Sequence, residues 1–478
     1  MPHLPRFRAV VDPYLLAALA IGLALRLAWL LYIDVEPFSD AEVYFGLADR
    51  LADGLGYTLD GEQPTAFHPI GYPATLAAFF EVFGSNEFAY ELLNMLAALI
   101  TIAATYFLAL HIFSRRVARI SALLVAFLPS HILTGSLAFT EPLFTAAFIV
   151  ACLLVVVALD QLKRQDAARA ELRTPATLAT PAIFILPELD TVRAFALLLL
   201  AAASAGVALL LRSGRRTAVL WAVAGAATGY AVLIKPAAIW LIVAAIVCLF
   251  VALRTPSNRV DAAMWRRFAW PAGAFVAGVA LLTLPWIARN WDQIGVGANL
   301  STNGGINVLV GNHAGATGCY HWNAERFDYL WAYDEVERDR KALEEAADFV
   351  LHNPDEALAL FPRRFDCTWN SDSAGAYWNQ VSAPDPPSDT VYSLLDITSN
   401  WYYYGLILLA FIGLPGWLST RPDRLLLVLL VVMTAVYYSF VLGDLRYHQP
   451  LLPIFAIWAA VGITMIPRWL KLARGGSD

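Results

Sequence analysis

Charged side chains lie at the edges of long apolar segments at four places in the sequence. Asp40 and Glu42 follow the first apolar run in the motif FSDAEVYF, and Glu141 lies between two later runs in FTEPLF. Lys235 ends an apolar run in LIKP, and Arg446 precedes the last run in DLRYH. An ionisable residue at the edge of the hydrocarbon layer is costly and indicates a functional site by default. External carboxylates and several cations at one membrane surface suit a reaction on a lipid-linked phosphate, in which the cations hold the leaving phosphate and a carboxylate takes a proton from an incoming hydroxyl.

Each of these residues also has a structural explanation. Ser39 and Asp40 are both good helix N-caps. An acid such as Glu141 is favoured at a helix N-terminus by the helix dipole, and Lys235 can extend to ordinary lipid headgroups. The sequence alone leaves both explanations open, and it does not show that these side chains lie close together.

The composition predicts a membrane protein with many spans. The 478 residues are 59% hydrophobic and only 15% charged, whereas a soluble domain carries about 25% charge. The net charge of −6 gives no basic surface, so we expect no nucleic acid partner. A helix of about 20 apolar residues crosses the hydrocarbon layer. The apolar runs lie at 14–33, 88–113, 117–134, 140–160, 192–211, 217–234, 237–253, 268–288, 401–418, 424–442 and 449–467. We expect the first run to be a retained span, because it is too long for the apolar region of a signal peptide.

Basic clusters between the runs set the expected topology, because positive residues concentrate on the cytoplasmic side. The clusters are Arg6/Arg8, Arg115–Arg119, Lys163–Arg173, Arg212–Arg216, Arg254–Arg267, Arg421–Arg424 and Arg468–Arg474. The chain between Lys163–Arg173 and Arg212–Arg216 must cross an even number of times, although only the run 192–211 is clear. A short second segment near Thr174–Leu186 predicts about 12 spans, and a re-entrant or interfacial helix there predicts about 10.

This topology places two segments on the external face. The first loop, 34–87, contains an amphipathic helix pattern that ends at Gly54. It also contains Ala74–Phe83, which is too short to span and is expected to lie along the membrane. The second segment, Arg289–Asn400, has soluble composition, many aromatic residues and a charged helical pattern near Asp334–His352. These features predict a small folded external domain.

We therefore expect three parts in the chain. Residues 1–289 form an N-terminal transmembrane catalytic module that includes the loop 34–87, residues 290–400 form the external loop domain, and residues 401–478 form the C-terminal transmembrane helices. The external domain contains Cys319 and Cys367. The sequence leaves open whether these two cysteines form a disulfide or remain free thiols. No spacing of cysteine or histidine resembles a zinc site.

Taken in order, the motifs resemble those of bacterial GT-C membrane glycosyltransferases, in the group related to protein O-mannosyltransferases and lipid A aminoarabinose transferases. The resemblance covers nearly the whole chain. It rests on SDAEVYFGLADRL, HPIGYP, FTEPLF, LIKP, LPWIARNWDQIG, STNGGINVLVGN and DLRYHQPLLP. It implies an all-α polytopic membrane protein of GT-C type. With the hydropathy pattern, we expect about 10–12 transmembrane helices, external interfacial helices in the first loop and a small external domain.

The resemblance also implies an activity. The donor would be a sugar linked to a polyprenyl phosphate, and a hexosyl or pentosyl group would pass with inversion to an acceptor hydroxyl. The acceptor class, which is lipid, glycan or protein, stays open. The reaction would take place at the external face of the bacterial cytoplasmic (inner) membrane, among membrane lipids. Some relatives need a divalent metal and others do not, so we assign no metal or other cofactor.

Roles for individual residues follow from matching motif positions. Asp40 would be the catalytic base, and Glu141 a second acid that orients the acceptor or binds a cation. Glu42 is a further catalytic candidate, although the family often has two adjacent acids and Ala41 separates them here. The candidate substrate-binding residues are Lys235, Arg289, Arg446, Tyr447, His68, Asn303, Gly304, Gly305 and Asn312.

A transporter or flippase of lipid-linked sugars is the alternative function. That class typically shows internal repeats and a site near the membrane midplane, and we find no such repeat in the sequence. One cavity at the membrane surface containing Asp40 would favour the enzyme, whereas a site that alternates across the midplane would favour the transporter.

Overall fold

The computed structural model describes residues 12–169, 216–254, 262–295 and 299–473. Every named element in these residues is a helix, which confirms the predicted all-α fold. Extended pairing within them is limited to two isolated bridges, Thr58 with Pro64 and Cys319 with Gly443. The run 192–211 and the expected segment near Thr174–Leu186 lie outside the described residues.

The first described segment contains three long α-helices and four shorter ones. They are α1 (Pro13–Leu30), α2 (Asp40–Ala52), α3 (Gly71–Phe83), α4 (Glu87–Ile112), α5 (Arg115–Ala126), α6 (Pro129–Leu133) and α7 (Glu141–Arg169). Helix α2 is the predicted amphipathic helix, since Leu47, Ala48 and Leu51 recur at helical spacing and are buried. Helix α3 contains the predicted interfacial stretch Ala74–Phe83.

The next helices are α8 (Arg216–Ile234), α9 (Ile239–Leu253) and α10 (Ala262–Ile294). Helices α8 and α10 approach closely through small residues. A Cβ at Gly225 would lie 2.0 Å from the carbonyl oxygen of Phe275, and a Cβ at Gly229 would lie 2.8 Å from that of Val279. The spacing GxxxG on α8 therefore permits backbone-to-backbone packing, as is common between helices in membranes.

The segment that the sequence predicts to be external folds into five α-helices, α11 (Gly304–Gly311), α12 (Ala324–Phe327), α13 (Glu335–His352), α14 (Pro354–Trp369) and α15 (Ala374–Ser382), and one short 3-10 helix, Asp328–Ala332. Helix α13 is the predicted charged helix, and Asp334 caps it by accepting hydrogen bonds from the amides of Val336 and Glu337. The segment has its own hydrophobic core, formed by Ile306, Leu309, Val310, Phe327, Leu330, Ala342 and Ala346 together with Leu442. Cys319 and Cys367 form a disulfide with a Cα–Cα distance of 5.5 Å, which decides between the two alternatives left by the sequence.

The last helices are α16 (Asp389–Ile412), α17 (Leu414–Trp417), α18 (Pro422–Val441) and α19 (Leu452–Ala473). The boundary expected between residues 400 and 401 falls inside the continuous helix α16, which begins in the external segment. The apolar run 401–418 therefore forms the second half of α16 and the short helix α17.

Within the described residues, 8 helices are long and apolar enough to cross a membrane, or up to 9 if a bent helix pair counts as one span. That pair occupies the run 117–134 and bends by 53° between Ala126 and Pro129, where proline removes a backbone donor. The arginines of α5 and α18 lie at one end of the bundle, since Arg119 pairs with Asp12 before α1 at 3.0 Å and Arg424 lies over Phe113 after α4. The loops and turns that contain Asp40, Glu141, Lys235 and Arg446 lie at the opposite ends of these helices.

Candidate active site

Asp40 and Arg446 meet although they are 406 residues apart in the sequence. Asp40 is the first residue of α2, and Arg446 lies in the loop between α18 and α19. Arg446 Nη2 donates to Asp40 Oδ2 at 3.1 Å, and Arg446 Nε donates to Asp444 Oδ1 at 3.3 Å. The guanidinium also lies 4.9 Å from the ring centre of Phe139 and 5.1 Å from that of Trp378. Two carboxylates and two aromatic faces therefore hold this cation in one position.

The backbone before Asp40 adopts a rare conformation. Ser39 has φ 59°, and among the described residues it is the one non-glycine residue with positive φ. Its side chain makes no capping hydrogen bond to α2, so it does not act as the N-cap that its residue type favours. A residue in such a conformation costs on the order of 1–3 kcal/mol and is typical of functional sites. This turn places Asp40 at the start of α2, with its side chain 39% exposed.

Lys235 and Glu141 form a second ion pair at the same end of the bundle. Lys235 follows α8, Glu141 begins α7, and Lys235 Nζ lies 2.7 Å from Glu141 Oε1. The ammonium is also 5.7 Å from the ring centre of Tyr447, which stacks on Tyr438. The first loop packs directly on this turn, because a Cβ at Gly71 would lie 2.6 Å from the backbone of Leu233.

Removing one partner of this pair is expected to destabilise the protein more than removing both. The side chains of Lys235 and Glu141 are only 17% and 4% exposed, so Glu141→Gln leaves a largely buried cation without an opposite charge. Breaking a buried pair in this way typically costs about 3–5 kcal/mol. Thermal unfolding of the purified protein should show a lower Tm for Glu141→Gln, and partial recovery in Glu141→Gln/Lys235→Met. An equal or larger loss of Tm in the double variant would contradict this coupling.

The charges in the site hold Asp40 in its ionised form. Burial opposes ionisation, but the positive charge of Arg446 outweighs it, so the pKa of Asp40 lies below its ordinary value. Burial lowers the pKa of Arg446 in turn, but Asp444 and Asp40 outweigh that effect and raise the pKa well above its ordinary value. The site therefore contains a carboxylate and a guanidinium at neutral pH.

His68 lies beside this pair as a neutral imidazole. Burial is the main cause that lowers the pKa of His68 to about 4, against the attraction of Asp40. The side-chain nitrogen of Asn303 lies 3.1 Å from His68 Nδ1, and the Tyr44 ring centre is 4.5 Å from the imidazole. An amide nitrogen can only donate, so Nδ1 accepts and the proton is on Nε2, which is buried and has no hydrogen-bond partner among the described residues. A free N–H donor therefore lies within the site.

Two other candidate residues make hydrogen bonds that hold neighbouring segments together. Arg289 donates to the carbonyls of Thr65 and Tyr57 at 2.6 and 3.2 Å and thereby anchors the first loop to α10. Asn312 donates to the carbonyls of Val308 and Val441 at 2.8 and 3.2 Å, which ties α11 to α18.

The two glycines named as candidate substrate-binding residues belong to a helix. Gly304 and Gly305 begin α11, and the Gly305 amide donates to the Asp339 carboxylate at 2.6 Å. A Cβ at Gly305 would lie 2.0 Å from the carbonyl oxygen of Asp339. This glycine therefore permits α11 to pack on α13. Glu42 is exposed on α2 and, within the described part of the chain, makes no hydrogen bond or ion pair with Asp40 or Arg446.

Three residues at the site were not assigned from the sequence. Asp444 pairs with Arg446, and the motif DxR was a usable signal for it. Trp378 supports Arg446 from α15, more than 60 residues earlier in the chain. Tyr320 has a pKa raised to about 12, mainly by burial and then by the charge of Asp40, which places its phenol near the Asp40 carboxylate. Only the disulfide-linked loop brings Tyr320 there, so local sequence carried no sign of it.

Comparisons with known proteins assign the fold. Residues 67–169, about a fifth of the chain, match the family described as dolichyl-phosphate-mannose-protein mannosyltransferase. The oligosaccharyltransferase AglB from Archaeoglobus fulgidus, solved with an inhibitory peptide and a dolichol-phosphate, superposes with TM-score 0.53 at 15% identity and over 98% of this chain. ArnT from Cupriavidus metallidurans, bound to undecaprenyl phosphate, superposes with TM-score 0.51 at 13% identity and over 97% of this chain. The protein has a GT-C fold, as expected.

The chain is shorter than both of these proteins. It spans 52% of the AglB chain and 63% of the ArnT chain. No curated protein matches it significantly in sequence. The comparisons therefore show a shared fold, and they do not compare individual residues of the site.

Proposed function

We propose that this protein is an inverting glycosyltransferase that moves a hexosyl or pentosyl group from a polyprenyl-phosphate donor to an acceptor hydroxyl. The observation that carries the proposal is the ionised Asp40 carboxylate held beside Arg446, at the same end of the bundle as the Lys235–Glu141 pair. A general base and two cations at one surface are the groups that this reaction needs.

In the proposed reaction, the acceptor hydroxyl lies between Asp40 and the anomeric carbon of the donor sugar. Its oxygen attacks that carbon from the face opposite the phosphate, and Asp40 takes the hydroxyl proton as the new carbon–oxygen bond forms. The bond from the anomeric carbon to the phosphate oxygen breaks, and its electron pair leaves with the polyprenyl phosphate. The configuration at the anomeric carbon is therefore inverted.

Both cations keep donors available for the leaving phosphate. Arg446 uses Nη2 and Nε for Asp40 and Asp444, so Nη1 remains for a phosphate oxygen. Lys235 makes one hydrogen bond, to Glu141, and an ammonium has three donors. The unpartnered Nε2 of His68 is a neutral donor for a sugar hydroxyl or a phosphate oxygen. These groups offset the negative charge that develops on the phosphate.

Two features support an external site on a bacterial cytoplasmic membrane. The disulfide Cys319–Cys367 lies in the segment that packs next to the Arg446 loop, and disulfides persist in oxidising compartments. The arginines of α5 and α18 lie at the other end of the bundle, as the positive-inside rule requires of the cytoplasmic side.

The relatives in the fold support the donor class. AglB was solved with a dolichol-phosphate and ArnT with undecaprenyl phosphate, and both ligands are polyprenyl-type lipid phosphates. The acceptor is a hydroxyl of a lipid, a glycan or a protein. Comparing the lipid-linked sugars and surface glycans of a deletion strain with those of its parent would identify the class.

The direct test is incubation of the purified protein with a polyprenyl-phosphate donor radiolabelled in the sugar and with cell-envelope extract as acceptor. A transferase consumes the donor, releases polyprenyl phosphate and gives a labelled product with inverted configuration. A transporter or flippase moves the donor across proteoliposome membranes and leaves the sugar–phosphate bond intact. Intact donor after prolonged incubation, together with transbilayer movement, would overturn the proposal.

A further inference from the structure

An open cleft lies between the first loop and the external segment. Its volume is about 760 Å³, and it is lined by the turn from Leu59 to Thr65, the end of α10 and the residues from Tyr333 to Arg340 around the start of α13. This volume is typical of a site for a small molecule. The lining is rich in charged and hydroxyl groups, which favours a hydrophilic ligand over a lipid chain.

Arg338 in this cleft is a buried cation without a hydrogen-bond partner. The residue is only 6% exposed. Its guanidinium lies 4.2 Å from the ring centre of Trp331 and 5.7 Å from that of Phe67. Nε is buried without a partner, and within the described ranges the side chain makes no hydrogen bond and no ion pair within 4.0 Å. Burial lowers the pKa of Arg338 against the attraction of Glu335, Asp334 and Asp339, but within the described ranges none of these carboxylates accepts a hydrogen bond from it, so its N–H groups are available to a ligand.

The acids that line the cleft are already engaged by the protein. Glu335 accepts hydrogen bonds from the Thr65 hydroxyl at 2.5 Å, the Ala66 amide at 2.6 Å and the Thr302 hydroxyl at 2.9 Å. Its charge offsets part of that of Arg338 one helical turn away, but its oxygens hold the first loop and α11.

The other charged groups in the lining are also occupied. Asp334 caps α13, and Asp60 accepts hydrogen bonds from the amides of Glu62 and Gln63 in its own turn. Arg340 pairs with Glu337 and Glu344 on its own helix. Arg338 therefore differs from the other charged groups in the cleft lining, because within the described residues it makes no hydrogen bond or ion pair with the protein.

We propose that this cleft is a binding site for a sugar-sized molecule that carries an oxyanion, and that Arg338 binds the oxyanion. A guanidinium stacked on an aromatic ring keeps its N–H edge free, and this edge matches a carboxylate or a phosphate in a bidentate way. Carboxylate and phosphate share this chemistry, and the arms of the experiment distinguish them.

The site also bears on the proposed glycosyl transfer. The Phe67 ring contacts both sites. Its centre lies 5.7 Å from the Arg338 guanidinium and 4.8 Å from the ring centre of His68 at the candidate active site. If the transferase proposal holds, the cleft binds an acidic part of the acceptor. Binding of an anion can be measured without any donor, so the failure of one proposal is distinguishable from the failure of the other.

The test is isothermal titration calorimetry of the purified full-length protein with glucuronate, glucose 6-phosphate, inorganic phosphate and neutral glucose. We expect at least one of the two anionic sugars to bind, with an affinity at least 10-fold higher than that of glucose. Arg338→Gln should weaken this binding by about 10–100-fold, because a charge-assisted hydrogen bond contributes on the order of 1.5–3 kcal/mol. Arg340→Gln is the matched control, since Arg340 lines the same cleft but is already paired, and it should bind the anion within about 3-fold of wild type.

Stability measurements separate binding from a structural role for Arg338. Without ligand, Arg338→Gln should still unfold cooperatively with a Tm close to that of wild type, because within the described residues the guanidinium makes no hydrogen bond or ion pair and the variant loses only its packing on Trp331 and the distant attraction of Glu335. If this variant fails to fold, Arg338→Lys decides, because it keeps the charge but loses the bidentate edge and should weaken binding measurably. Binding of only the carboxylate or only the phosphate sugar supports the proposal and identifies the group. The proposal is overturned if neither anionic sugar binds, or if wild type and the Arg338 variants bind them equally well.

Discussion

Asp40→Asn is expected to reduce kcat for glycosyl transfer by about 10²–10⁴-fold, which is the usual effect of removing a positioned general base. Asparagine has nearly the shape of aspartate and still offers an oxygen to Arg446 Nη2, so the variant should fold and bind the donor. It has no basic oxygen to take the hydroxyl proton. The measurement is single-turnover transfer from a radiolabelled polyprenyl-phosphate sugar, with donor affinity measured separately.

Glu42→Gln is the matched control for this variant. Glu42 lies two residues from Asp40 on the same helix, is exposed, and among the described residues forms no ion pair with Arg446. We expect its transfer rate to remain within about 3-fold of wild type, as for most exposed substitutions. Near-wild-type turnover in Asp40→Asn would show that Asp40 is not the base. A loss of activity in Glu42→Gln as large as that in Asp40→Asn would contradict the assignment of this role to Asp40 rather than Glu42.

Arg446→Gln is expected to reduce kcat by about 10²–10³-fold, the range observed when one donor to a developing negative charge is removed. Arg446 is only 9% exposed and is held by Asp40, Asp444 and two aromatic rings. The leaving phosphate would lose this donor, and Asp40 would lose the partner that orients it. Arg446→Lys is the comparison variant, because it keeps the charge without the bidentate geometry and should retain more activity than glutamine.

The pH dependence of this variant tests the electrostatic part of the mechanism. Arg446 lowers the pKa of Asp40, so Arg446→Gln must raise that pKa. The ionised form is the active base, and it exists above the pKa. The acid limb of the profile of kcat/KM against pH should therefore move to higher pH in Arg446→Gln. An unchanged acid limb in a folded variant would show that Asp40 is not the titrating group.

The same electrostatic interaction predicts that donor binding changes the pKa of Asp40. A donor phosphate that shares the Arg446 guanidinium places negative charge near Asp40 and so raises its pKa. Asp40 is then a stronger base in the complex than in the free protein. Profiles of kcat against pH should show an acid limb at higher pH than profiles of kcat/KM, because the two report the complex and the free enzyme.

Elements with strong local signals were predicted correctly. Helix α2 follows from buried residues at Leu47, Ala48 and Leu51, and α13 follows from a capped, charged helical pattern that begins after Asp334. The bend after Ala126 and the continuation of α16 through residue 400 were not predicted. Hydropathy averages over a window, so it does not show where a helix bends or where it leaves the membrane surface.

The sequence by itself determined the class of the protein and the residue types of its site. Apolar runs and basic clusters are local properties, and they establish a polytopic helical protein with Asp40, Glu141, Lys235 and Arg446 at the ends of its spans. The tertiary structure decided which of these residues are partners. It pairs Asp40 with Arg446 and Glu141 with Lys235, and it gives Arg289 and Asn312 structural hydrogen bonds instead. The physical reason is that an ion pair forms wherever packing brings two charges within about 4 Å, and packing between helices hundreds of residues apart leaves no trace in the local sequence.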